Sequence, residues 1–167
     1  MSKDETEEDH PEFRALCMAV GFVVVHWAIN EQQIDNWVNV AFRKCGGDAL
    51  RKTGDIPTSF RVKIDFLKTC FKTLPQLAPF ASEGQALLTR ASAMAVERNN
   101  LMHASLVNMI PGEEGFQFRK VAYLKDNHAV SYFTFDPIAF QNLETAIGVL
   151  LTDQLAMSQR LAERFLA

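Results

Sequence analysis

Paired cysteines are missing. Cys17, Cys45 and Cys70 are the only three in 167 residues; they share no short spacing, and an odd number does not complete a disulfide framework. They read as reduced, packed thiols of a reducing compartment, so the cytoplasm is the expected location. Cationic excess is missing too. The net charge is −3 at pH 7, so no global field draws in nucleic acid, and any RNA contact has to come from a local cluster of arginine and lysine. No HExxH, CxxC, Walker-type glycine loop or GxSxG string occurs, which removes several common hydrolase, redox and phosphate-binding layouts. His10, His26, His103 and His128 share no metal-ligand spacing, and neither metal nor cofactor is expected. The most apolar run, Ala19 to Ala28, contains His26 and is too short to span a bilayer. The start, Lys3-Asp4-Glu5-Thr6-Glu7-Glu8-Asp9, is acidic where a secretory signal is basic.

What is present is a chain of ordinary globular balance, with 48% hydrophobic and 22% charged residues. Its length suits one domain that buries about 68–70% of its unfolded surface. Residues 1–10 read as a mobile acidic tail and 11–167 as a single domain. From Pro11 a helix is expected to about Lys44, ended by Gly46-Gly47. Its seam is Leu16, Val20, Val23, Trp27, Asn30, Ile34, Trp37 and Ala41, at alternating steps of four and three, with Asn30 the one polar interruption. Trp27 and Trp37 lie in that seam and read as core. After a polar loop, Gly46 to Pro57, a second helix is expected over about Ser59 to Leu74. It carries Phe60, Ile64, Leu67, Phe71 and Leu74 on one face. Arg61, Lys63, Lys68 and Lys72 lie mostly elsewhere, a solvated face or, less commonly, a phosphate-contacting one.

Pro75 and Pro79 bracket a tight connection into a third helix, about Phe80 to Ser105. Then the pattern changes. Leu106 to Ile110, Phe116 to Leu124 and Ala129 to Phe135 are rich in Val, Phe, Tyr and Thr and are separated by turn signals. They predict a small antiparallel meander, about 106–135, inserted before a last helix. Asp136-Pro137 supplies that helix with an N-cap and a proline at its first position. Phe140, Leu143, Ile147, Leu150, Gln154, Met157, Leu161 and Phe165 carry it almost to the C-terminus. The fold class is mainly α: an antiparallel bundle of about four long helices with a β-meander.

One residue conflicts with this pattern. On an ideal helix Phe80, Leu87, Ala91, Met94, Leu101 and Met102 all fall within roughly 60° of Arg98. A guanidinium therefore occupies the centre line of the stripe that should face the core, where an unpaired charge is costly. His103 lies about 140° around and roughly 7.5 Å further on, with Asn99 one turn before it on nearly the same face.

The string Arg98-Asn99, three residues, His103 resembles the signature of HEPN domains: an arginine, a polar residue directly after it, and a histidine four to six residues later near the end of a bundle helix. The resemblance implies an all-helical core and a dimer that brings two such helix ends into one cleft, with Arg98 and His103 of both copies lining it. It also implies a metal-independent endoribonuclease of toxin, defence or RNA-processing type, with RNA and a cognate antitoxin or regulatory protein as partners and no membrane. The chemistry suits these residue types. Histidine moves protons near neutrality, and the arginine fork binds phosphate oxygens and keeps its charge. Asn99 would orient the imidazole or hold a phosphate oxygen.

Glu31 or Asn30 would hold the Arg98 guanidinium across the bundle, and Arg90, Arg119 and Lys120 are the nearby cations. In the competing class the scaffold is a non-catalytic dimer acting as an interaction or nucleotide- or RNA-binding protein. There Arg98 pairs with a carboxylate such as Glu31 or Asp65, and His103 contacts the last carbonyls of its helix.

Overall fold

The computed structural model describes residues 11–51, 54–110, 115–124 and 127–166, with 109, 110, 123 and 124 described by backbone alone. The acidic segment 1–10 and the turn residues 111–114 and 125–126 lie outside the described residues. The architecture is mainly α, with four α-helices and a three-stranded antiparallel sheet between the third and the fourth. Helix α1 spans Pro11–Lys44, α2 Phe60–Thr73, α3 Ala81–Met102 and α4 Pro137–Phe165. Strands β1 Ser105–Ile110, β2 Gly115–Leu124 and β3 Asn127–Phe135 pair in sequence order.

The boundaries follow local chemistry. Gly46, with φ 76°, supplies the left-handed residue after α1, and the chain folds back so tightly that a Cβ on Gly47 would lie 2.6 Å from the Ala41 carbonyl oxygen. Phe80 belongs to a 3-10 segment, Pro75–Phe80, rather than to the third helix, because prolines at its first and fifth positions favour the tighter turn over a continuous α-helix. Helix α3 stops at Met102 instead of Ser105, since Ser105 is already hydrogen-bonded into the sheet opposite Arg119. At the start of α4, Asp136 Oδ1 accepts the Ala139 N–H at 2.6 Å, the expected N-cap.

By its internal contacts the chain forms two compact units. One takes the chain up to Val25 together with Val96–Ala146; the other is His26–Ala95 with Ile147–Ala167. Helices α1, α3 and α4 each pass through both.

In the second unit the seams meet as a helical bundle. Ile34, Trp37, Leu67, Phe71, Leu88, Leu150 and Met157 are buried together. Trp37 Nε1 donates to Ser158 Oγ at 2.7 Å, and that hydroxyl donates to Gln33 Oε1 at 2.8 Å. Trp27 packs on Phe60 at 5.4 Å between centroids. Both tryptophans are core, as their seam positions require. Gly84 lets the two helices close, for a Cβ there would sit 2.8 Å from the Phe71 ring.

In the first unit the inner face of the sheet is phenylalanine. Phe118 stacks on Phe133 at 5.6 Å, and Phe116 and Phe135 pack on Phe140 of α4 at 6.4 and 5.0 Å. Leu16, Val23, Leu101 and Leu143 are also buried. Helix α1 is long and apolar enough to cross a membrane by length and composition, with mean hydropathy 1.6 over eighteen residues. A mostly buried core helix of a soluble protein and a signal sequence pass the same test, and 17% of this window is buried.

Candidate functional site

Helix α3 ends in the first unit, and its last two turns carry the arginine and asparagine. Leu87, Leu88, Ala91 and Leu101 of its apolar stripe are buried, and Arg98 on that stripe is half-buried. Arg98 Nη1 donates to Asn99 Oδ1 at 2.9 Å, while Nε is buried with no hydrogen-bond partner among the described residues. The guanidinium thus faces a neutral amide rather than the carboxylate that the competing reading calls for. A dipole does not cancel a charge, so the site keeps its cation and one unsatisfied donor.

Glu31 accepts the Trp27 indole N–H at 2.8 Å instead of serving Arg98. The Asn30 amide nitrogen donates to its own helix, to the His26 carbonyl at 2.8 Å. Both residues lie in the second unit, and Asp65 is exposed on α2.

His103 stands one residue past α3 and is exposed. Its backbone N–H still bonds the Asn99 carbonyl at 3.1 Å, which fixes the residue against the last turn. Among the described residues no hydrogen bond or ion pair involves its imidazole. The expected capping contact to the helix carbonyls is not made, and the ring is open to solvent. Asn99 is exposed, and its side-chain oxygen serves Arg98 rather than the imidazole.

Strand pairing brings in the cations that sequence proximity alone does not place. Arg119 lies directly opposite Ser105, two residues after His103. Lys120 Nζ donates to Asn100 Oδ1 at 2.9 Å, tying β2 to the end of α3. Arg98, Asn99, His103, Arg119 and Lys120 therefore share one unit.

Arg90 does not join them. Its Nη1 pairs with Asp153 of α4 at 2.6 Å in the second unit, which neutralises it as a phosphate contact. Of the α2 cations, Lys63 pairs with Asp35. Tyr132 of β3, opposite Arg119 and 59% exposed, was not singled out by sequence. The strand's alternation of His128, Val130, Tyr132 and Thr134 was the signal for it.

Among the described residues no group of three His, Cys, Asp or Glu side chains is placed to hold a metal ion. The thiols are unbridged, and burial holds Cys45 and Cys70 in the protonated form: desolvation pushes Cys70 up to about 12, with the nearby Cys45 adding to the shift. The arrangement at the end of α3 thus offers an accessible imidazole, a charge-bearing guanidinium and two further cations. Against family models, curated proteins and solved structures, the chain matches none.

Proposed function

We propose that this protein is a HEPN-like, metal-independent endoribonuclease acting as a homodimer in the cytoplasm. The observation that carries the reading is the open imidazole of His103 beyond a helix stripe on which Arg98 has no carboxylate partner among the described residues. His103 takes the proton of a ribose 2′-hydroxyl, the freed oxygen attacks the adjacent phosphorus, and the 5′-oxygen leaves with a proton from the second copy's imidazole. Arg98 and Arg119 meet the charge that builds on the non-bridging oxygens. The products are a 2′,3′-cyclic phosphate and a 5′-hydroxyl, and DNA is refractory because it lacks the attacking group. A role in toxin, defence or RNA-processing systems, with an antitoxin or regulatory protein as partner, belongs to the same reading.

The test is cleavage of RNA in EDTA by the purified protein. Activity is expected to fall by about 10²–10⁴ in His103→Ala and comparably in Arg98→Ala, with circular dichroism showing both variants folded. Intact RNA with the wild-type protein would remove the reading. A non-catalytic interaction protein is the second reading. It is favoured by the way Asn99 and Asn100 occupy Arg98 and Lys120, the second of these bonds also joining α3 to the sheet.

A further inference from the structure

The outer face of the sheet carries a row of side chains of which the catalytic reading uses only Arg119. Ser105 of β1 pairs with Arg119 of β2, and Arg119 pairs with Tyr132 of β3. Directly opposed residues point to the same side of a sheet, with Cβ atoms about 4.5–5.5 Å apart. All three are exposed. The row also starts at the candidate site, for Ser105 follows His103 by two residues, at most about 7 Å of chain.

The fold does not need Tyr132. Its apolar demand is met on the other face, where Phe116, Phe118 and Phe135 are buried. Tyr132 is 59% exposed, and among the described residues no aromatic ring contacts it. From Asn127 to Thr134 every β3 residue except Phe133 is exposed. An amphipathic ring left in water beside an arginine suits a flat ligand that carries negative charge: the ring offers a π face and the guanidinium a phosphate contact.

We propose that this row binds single-stranded RNA beside the cleaved bond, an inference that rests on the ribonuclease reading. An unpaired base stacks on Tyr132, Arg119 contacts the backbone, and the strand runs on past Ser105 to His103. Stacking of this kind tolerates any base but requires its face to be free, and a duplex hides it. The substrate class is therefore unpaired RNA, with little preference for base.

The experiment is fluorescence anisotropy of the full-length protein with a short fluorescein-labelled RNA whose 2′-hydroxyls are methylated, so that it binds without being cut. Tyr132→Ala is expected to weaken binding about tenfold or more, Tyr132→Phe to stay within about twofold, and the same sequence as a duplex to bind more weakly than the single strand. Arg119→Gln is expected to lower the salt dependence of binding by about one phosphate contact. Wild-type affinity in Tyr132→Ala, equal losses in Tyr132→Ala and Tyr132→Phe, or a duplex held as tightly as the single strand would each overturn the inference.

Cleavage of unmethylated RNA, run in parallel, separates the two claims. If the wild type cuts and Tyr132→Ala binds and cuts equally well, the platform falls and the ribonuclease reading stands. If the wild type leaves RNA intact while Tyr132-dependent binding persists, the platform stands without it.

Discussion

At the scale of single residues, the consequential position is Arg98. A buried arginine paired with a carboxylate costs several kcal/mol to truncate, because a lone charge is left behind. Here the partner is the Asn99 amide, and Nε is buried without one among the described residues. Removing the guanidinium therefore relieves an unsatisfied donor. Arg98→Leu, which restores the apolar stripe, is expected to leave stability within about 1 kcal/mol of wild type or above it, in urea unfolding, while abolishing RNA cleavage.

The thiols give an independent check. Cys17 is exposed and Cys45 and Cys70 are buried, so iodoacetamide on the native protein is expected to add one label by mass spectrometry, and all three only after denaturation. Cys70 also sets a pH limit. Its folded value, raised from 9.0 to about 12 chiefly by desolvation, means the folded state keeps a proton that the unfolded chain gives up. Its contribution is full below about pH 9 and is lost as pH rises toward 12, so urea midpoints are expected to fall across that window.

At the scale of elements, the helix ends decide how the site is presented. Two residues separate the end of α3 at Met102 from β1, and the first of them is the exposed His103. Were the helix to run on to Ser105, its pairing opposite Arg119 would be lost and the cations of β2 displaced. Helix α4 depends on its own cap, Asp136 Oδ1 to the Ala139 N–H. Asp136→Ala is expected to cost about 1 kcal/mol in thermal or urea unfolding, with Asp136→Asn nearer to wild type. The seams were legible in the sequence because burial repeats with the helix: Trp27, Ile34, Trp37, Ile147, Leu150 and Met157 are each no more than 2% exposed. The exact strand register was not. Alternation predicts which side of a strand is apolar, but the facing residue depends on the partner strand and on the irregularity between Leu106 and Asn108.

At the scale of the whole molecule, the ribonuclease reading requires two copies, since one arginine and one histidine on different flanks of a helix supply half a site. Light scattering is expected to give a mass near twice 18.8 kDa. When wild-type protein is mixed with an equal amount of His103→Ala and allowed to exchange, half the dimers are mixed and carry a single imidazole, so cleavage is expected to fall to about a quarter of that of the same total amount of wild-type protein. A fall only to about half under verified exchange would place the whole machinery within one copy.

The sequence by itself determined the helix and strand order, the core seams and the misplaced charge of Arg98, because each is written in the spacing of apolar residues along one segment. Which group satisfies that charge, which cations accompany His103 and where Tyr132 is displayed were decided only by tertiary structure. The reason is physical. Hydrogen-bond partners and strand register come from surfaces that meet in space, and Asn99, Lys120 and the pairing of Arg119 between Ser105 and Tyr132 are products of that meeting.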